Sequence, residues 1–369
     1  MDLVVKRSDF LKELQYVQGV VERKTTVPIL SNLLLETAGN SLVVTATDLD
    51  VTIQCGCGAA VKVSGAVTVS ARKLFDIVRL LPDSDVHFKA TSADWMSVTC
   101  ERSRFKLATL SKENFPEIPN VTNATMTLPA SALRYMITRC TFAITQEESR
   151  YSLNGALMIL RPDGITFVTT DGHRLVYISR ETTIEGIEGG EVRTVVPKKT
   201  LTELSKLTAE DILNVQFGIS ENHLFFRVGE RLLVSRVMTG QFPNYEMVIP
   251  RDNHRRAILN TLDFVDALKR TSVMADEQSH GLRLIFQEGQ LEVASASTDF
   301  GEARESLPIE FAGEPLEIGF NAFYLLDFLN GLESEQVVFE LRDQDTQGLL
   351  KPKMSEDYTY QYVVMPMRI

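Results

Sequence analysis

Asp171, His173 and Arg174 stand together in Thr170-Asp-Gly-His-Arg-Leu, placing a carboxylate, an imidazole and a guanidinium in one short turn. A carboxylate beside a histidine is the raw material of general acid–base catalysis, so a hydrolase using Asp171 and His173 is one reading. Such an enzyme also needs a nucleophile, a phosphate loop or a metal set. No GxSxG elbow, phosphate-binding loop or metal motif accompanies these residues. The alternative is an aspartate that satisfies its own turn and a histidine that packs or lines a groove. Cys55-Gly-Cys57 poses a similar choice. Without a CxxC or a His-rich partner segment, these two and Cys100 and Cys140 read as buried, reduced thiols in a reducing compartment.

The 369 residues exceed one ordinary core and predict two to four domains. With 44% apolar and 24% charged residues the chain has a globular composition. It opens on no signal-like segment and holds no apolar run long enough to span a bilayer, so a cytoplasmic protein without membrane partners is expected. The net charge of −11 argues against nucleic acid unless basic residues are segregated locally.

The elements that position these residues recur three times. Residues 32–48, 154–171 and 281–299 each read as strand, tight glycine-containing turn, strand, ending at Asp48, Asp171 and Asp299. An amphipathic segment precedes each hairpin (Phe10, Leu14, Val17, Val21; Leu133, Met136, Ile137, Cys140; Phe264, Val265, Leu268). Another follows (Leu74, Ile77, Val78, Leu81; Leu201, Leu204, Leu207; Leu325, Phe328, Leu329). Spacings of three and four put each set on one helical face, predicting helices over 9–18, 72–81, 131–144, 198–207, 263–274 and 322–332. Ser8, Ser131 and Asn321 are the expected N-terminal caps. Phe115-Pro116 and Phe242-Pro243 close the first two copies, with linkers near 116–125 and 243–256. The domains expected are 1–124, 125–252 and 253–369.

The six helical spans hold 11 of the 38 basic residues but only 7 of the 49 acidic ones. Helices are thus net basic on an acidic chain. They could face phosphates while the rest repels nucleic acid, or they could be ordinary solvated faces of a β-rich interaction scaffold without DNA.

Particular motifs carry a resemblance over essentially the whole chain. Thr26-Val-Pro-Ile-Leu-Ser-Asn-Leu-Leu-Leu, Thr47-Asp-Leu-Asp, Ala71-Arg-Lys and Arg102-Ser-Arg-Phe-Lys-Leu resemble the first domain of the bacterial sliding clamps, the β subunits of DNA polymerase III. Arg150-Tyr-Ser-Leu-Asn-Gly and Thr170-Asp-Gly-His-Arg-Leu resemble the second domain, and Ile318-Gly-Phe-Asn and Val363-Val-Met-Pro-Met-Arg-Ile the third. The resemblance implies an α+β chain of three clamp domains, each with two helices packed on β-sheets. Two chains would join head-to-tail into a ring with twelve helices around its hole. Helices about 10 Å apart give a circle ~38 Å across their axes, and subtracting a helix thickness leaves a hole of roughly 28 Å. Such a ring holds duplex DNA by topology, without sequence preference, and acts as a non-catalytic processivity factor needing no cofactor or metal.

By the same resemblance Lys24, Arg72, Arg150, Tyr151, Lys198 and Lys199 make transient DNA contacts, Tyr151 by packing on an exposed base. The chain departs from the family pattern at Lys24, where an arginine can stand, at Glu147, where an uncharged polar residue stands, and at Ser152, where an aromatic stands. The implied partner-peptide groove comprises Leu153, Thr170, Gly172, His173, Arg174, Leu175, Pro243, Val248, Val363, Met365, Pro366, Met367 and Arg368. It would receive the polymerase III α subunit, the clamp loader δ subunit and other clamp-binding polymerases and repair proteins. Flexible methionines and rigid prolines suit an adaptable apolar groove, although Met365-Pro-Met could also be a last core strand. The implied homodimer interface pairs Phe105 and Leu107 with Val273 and Met274. Lys73, Arg102, Arg104 and Lys106 on one end would meet Asp299, Glu302 and Glu305 on the other.

Overall fold

The computed structural model describes all residues except 23–25, 91–93, 120–124, 146, 188–189, 210–211, 221, 298–300, 355–356 and 369. Six α-helices occur among them: α1 (Arg7–Val17), α2 (Ala71–Leu80), α3 (Ala130–Cys140), α4 (Lys198–Leu207), α5 (Thr261–Ser272) and α6 (Ala322–Leu329). All six fall on the expected spans. The third is shorter than its apolar pattern, because the chain tightens into a 3-10 turn at Thr141–Ala143.

The three expected hairpins form, as Asn32–Ala38 with Ser41–Thr47, Gly155–Arg161 with Gly164–Thr170, and Gly281–Gln287 with Gln290–Ser297. Gly39 and Gly289 turn two of them with φ of +56° and +74°, a region that costs glycine little. Leu282, Leu284 and Phe286 alternate into the core as a half-buried strand requires. Gly155–Leu160 instead is buried without alternation, the mark of a strand covered on both faces.

The described residues group into two compact units, Met1–Arg134 with Lys199–Val237, and Tyr135–Lys198 with Met238–Ile369. The first is built on a twelve-stranded sheet whose keystone is the 13-residue strand Val51–Val63. It pairs with Ser41–Thr47 on one edge; on the other it takes Arg231–Arg236 and then Asp2–Lys6. Phe10, Leu14 and Val17 bury the inner face of α1. Glu13 lies on that face too, and it receives two hydrogen bonds from Arg231, Nε at 2.9 Å and Nη2 at 2.7 Å. All four cysteines are buried. Burial pushes the Cys57 thiol up to about 12 and raises Cys55 and Cys140 as well.

The second unit holds a nine-stranded and a four-stranded sheet. In the larger one, Arg174–Glu181 pairs antiparallel with Thr359–Val364, setting Leu175 opposite Val363. Two motifs far apart in sequence thereby become neighbours.

Capping departs from expectation at two of three helices. Asn321 does cap α6, its Oδ1 accepting from the Phe323 and Tyr324 amides. Ser8 caps nothing: α1 begins at Arg7, and the Ser8 hydroxyl donates to Asp9. Ser131 is the second residue of a helix that starts at Ala130, so it too is not the cap. Asn260, unremarked in the sequence, caps α5 through the Asp263 amide. Arg7 donates to the Val78 and Arg79 carbonyls, closing the last turn of α2.

Candidate functional site

Asp171 and Thr170 are spent on their own turn. Asp171 Oδ1 accepts from the His173 and Arg174 amides at 2.9 and 3.0 Å, and Thr170 Oγ1 accepts from the Gly172 amide at 3.1 Å. Gly172 sits at φ +91°, where an added Cβ would lie 2.5 Å from Arg150 Nη1. Thr47 and Asp48 repeat the design just after the first hairpin, Asp48 Oδ1 accepting from the Asp50 and Val51 amides. The recurring aspartate is therefore a turn-builder, which removes the main support for acid–base chemistry at Asp171. Asp299 lies outside the described residues.

Arg174 completes the turn. It donates to Asp171 Oδ2 at 2.9 Å, Asp327 Oδ2 at 2.7 Å and the Phe142 carbonyl at 2.9 Å, while its guanidinium lies 4.4 Å from the Tyr324 ring centre. Burial alone would lower its pKa, but Tyr362, Asp327 and Asp171 together raise it above the ordinary value. The charge is permanent and structural, holding the His173 turn against α6.

Beside this turn opens an apolar pocket of about 130 Å³. Leu153, Thr170, Gly172, His173, Arg174, Leu175, Pro243, Val248, Val363 and Met365 line it, all of them among the expected groove residues. Phe242 and Tyr245 join them; neither was expected, though both flank Pro243 in Phe-Pro-Asn-Tyr. Met367 and Arg368 do not line this pocket. They lie in a more polar cleft with Arg283, Glu317 and Asp345, because the Met367 amide donates to the Gly319 carbonyl at 2.8 Å and carries the tail there. Pro366 lines neither. The alternative of Met365 as a core residue fails, since the last strand ends at Val364 and Met365 is exposed.

The expected DNA-contact residues fare unevenly. Lys24 lies outside the described residues. Arg72 is 89% exposed on α2, with Asp76 3.9 Å away. Tyr151 is exposed. Arg150 is engaged locally, 3.2 Å from Glu147 and donating to the Asp171 carbonyl at 2.8 Å. Lys198 donates to the Ile144 carbonyl at 3.3 Å, and burial, with Arg174 adding to it, lowers its pKa. Lys199 is bound to the Asp48 carboxylate and donates to the Val20 carbonyl at 3.2 Å. Glu13 and Glu203, two of the acidic residues counted on the helices, are buried against Arg231 and Lys206, and Lys199 and Arg139 among the basic ones are paired with Asp48 and Glu333, so the helix count mixes exposed charges with structural ones of both signs.

Phe105 and Leu107 lie on the strand Ser103–Leu110, whose residues 103–108 pair on one side only. In the second unit Gly301–Pro308 is likewise an edge strand. Near it Val273 is 76% exposed and Met274 half-buried. Glu305 accepts from Arg270 Nε at 2.9 Å, so part of the acidic end is already neutralised.

Comparison with known proteins assigns this arrangement. The DNA polymerase III beta subunit N-terminal, central and C-terminal domains match residues 1–119, 127–244 and 246–368. The chain belongs to the DNA polymerase III β-subunit family. A beta sliding clamp of Pseudomonas putida is 36% identical, with all of both chains covered. Solved sliding clamps of Pseudomonas aeruginosa and Bartonella birtlesii, each bound to griselimycin, superpose with TM-scores of 0.94 at 35% and 36% identity, again over all of both chains. The fold is accordingly the three-domain DNA clamp fold. The central clamp domain is the one divided between the two compact units, since its strands extend the sheets of both.

Proposed function

We propose that this chain is a non-catalytic processivity clamp. Two copies close head-to-tail around duplex DNA, and the apolar pocket holds peptides of the proteins that the ring tethers. The observation that carries this reading is the pocket itself, built by the Thr170–Leu175 turn and the strand Thr359–Val364 in a chain that matches all three domains of the family. Its void of about 130 Å³ admits one or two apolar side chains, and the Thr170 hydroxyl and Arg174 guanidinium on its lining are already committed to the turn. A short linear peptide fits that chemistry, and the α subunit and clamp loader δ subunit are the expected donors. Griselimycin is expected to enter the same pocket.

For ring closure, the edge Ser103–Ala108 of one copy offers Arg104, Phe105, Lys106 and Leu107, and Gly301–Pro308 of another offers Glu302, with Glu305 shared with its own Arg270. Antiparallel or parallel pairing of two such edges would join the sheets and remove both exposed edges. The join is heterologous, so a closed ring must come from geometry. Arg72 and Tyr151 are the described residues best placed to meet DNA, while Lys199 reads as a structural tie. Few phosphate contacts suit sliding, with retention supplied by topology. The setting is cytoplasmic, with the replication machinery. Light scattering on the full chain tests the assembly: a dimer is expected, lost in Phe105→Asp, and a wild-type monomer at micromolar concentration would count against the ring.

A further inference from the structure

One wall of the apolar pocket is irregular chain, residues 242–249, with only a short 3-10 turn at Tyr245–Met247. An unsupported apolar wall beside a void tends to collapse into it, because closing the gap removes apolar surface from water. What holds the wall lies behind it. Gln347 Nε2 donates to the Val248 carbonyl at 3.0 Å. The Gln347 carbonyl in turn accepts from Asn253 Nδ2 at 3.0 Å, and the same amide donates to the Glu340 carbonyl at 2.9 Å. The loop bearing Gln347 is fixed by Asp343, whose Oδ1 accepts from the Asp345 amide at 3.1 Å and the Thr346 hydroxyl at 2.6 Å. Gln347 and Asn253 face a separate polar cleft on the far side of the wall and do not line the apolar pocket.

We infer that Gln347 is the positioning residue of the groove: its side-chain amide, anchored through Asn253, sets how far the Val248 wall stands from the Leu175 and Val363 strands. The chain of contacts runs from the strand Gln336–Leu341 through Asn253 to the Gln347 backbone, and from the Gln347 side chain to the wall. Gln347 is half-buried, so its side chain has a backed position from which to hold the wall. The groove then meets its ligand preformed, and the ligand does not have to order the wall. This inference rests on reading the pocket as the ligand groove.

The test uses the full-length protein and griselimycin as probe. Gln347→Leu keeps much of the side chain's bulk but removes the donor. Griselimycin affinity should fall about threefold to tenfold, the net worth of one intramolecular hydrogen bond. In the ligand-free protein, hydrogen exchange at the Val248 and Ile249 amides, both of which donate to the Tyr245 carbonyl, should speed up while the sheets keep their protection. Gln347→Glu supplies a rescue. At neutral pH its carboxylate faces a carbonyl and binding should fall at least as far. At acidic pH the protonated acid can donate, so the deficit relative to wild type at that pH should shrink.

Wild-type binding together with unchanged Gln347→Leu affinity and exchange would overturn the positioning role alone. Loss of protection throughout the second unit would overturn it as well, since Gln347 would then be holding the fold. Failure of the wild-type protein to bind griselimycin would instead remove the groove reading, and this inference with it.

Discussion

Replacing Arg231 with Met would leave the Glu13 carboxylate buried on α1 without its counter-charge. Glu13 and Arg231 side chains are 8% and 10% exposed, and two hydrogen bonds of 2.9 and 2.7 Å join them. Tyr16 covers the guanidinium, its ring centre 4.2 Å away. Breaking a buried pair from one side costs about 3–5 kcal/mol, mostly the desolvation of the charge left behind. In a domain of this size each kcal/mol moves the midpoint by about 2–4 °C, so a drop of roughly 6–20 °C is expected. Glu13→Leu with Arg231→Met removes both charges and should recover most of that loss, because apolar replacement of a buried pair is often nearly neutral. Differential scanning calorimetry on wild type, both single variants and the double variant gives the coupling directly. Single variants within about 1 kcal/mol of wild type would refute the reasoning, as would a double variant no better than the singles.

Other expectations follow from individual contacts. Deleting residues 365–369 removes Met365 from the pocket rim and should abolish griselimycin binding while leaving the dimer intact; unchanged affinity measured by calorimetry would contradict the groove assignment. Arg72→Ala should make the slope of log affinity against log salt on open DNA less negative by about 0.9, whereas Lys199→Ala, already tied to Asp48, should chiefly lower thermal stability. Asp343 is held down to about 2, first by the Thr346 hydroxyl and then by Arg342 and the Asp345 amide. Because its folded pKa lies below the unfolded one, its stabilisation is present above about pH 4 and is lost as pH falls toward 2. Asp343→Asn should flatten the acid limb of a urea-midpoint profile over that window. With its thiol at about 12, Cys57 is almost wholly protonated at pH 8, so iodoacetamide should label it in urea and not in the folded protein.

Much of the architecture could be read from local pattern. Three-and-four spacing located all six helices, since each buries one stripe, and glycine turns located the hairpins. Caps were less legible. Ser8 and Ser131 have the right side chains, but helix starts at Arg7 and Ala130 put them inside the first turn. The lining of the apolar pocket was legible where a motif carries it, in Thr170–Leu175 and Val363–Met365. Its wall was not: Phe242 and Tyr245 sit in a proline-containing linker without periodicity, and only the strand pairing of 174–181 with 359–364 shows what they cover. The Lys199–Asp48 and Glu13–Arg231 pairs were invisible for a related reason, since their partners are distant in sequence and meet only through the fold. Counting helix charges therefore mixed exposed groups with buried structural ones.

The central claim is that the chain holds DNA by enclosing it. Labelled protein loaded onto a nicked circular plasmid with a bacterial clamp loader, then separated by gel filtration before and after a single restriction cut, tests this directly. Retention on the circle and release after linearisation is the predicted result. Equal retention on both forms, or equal loss from both, would contradict it.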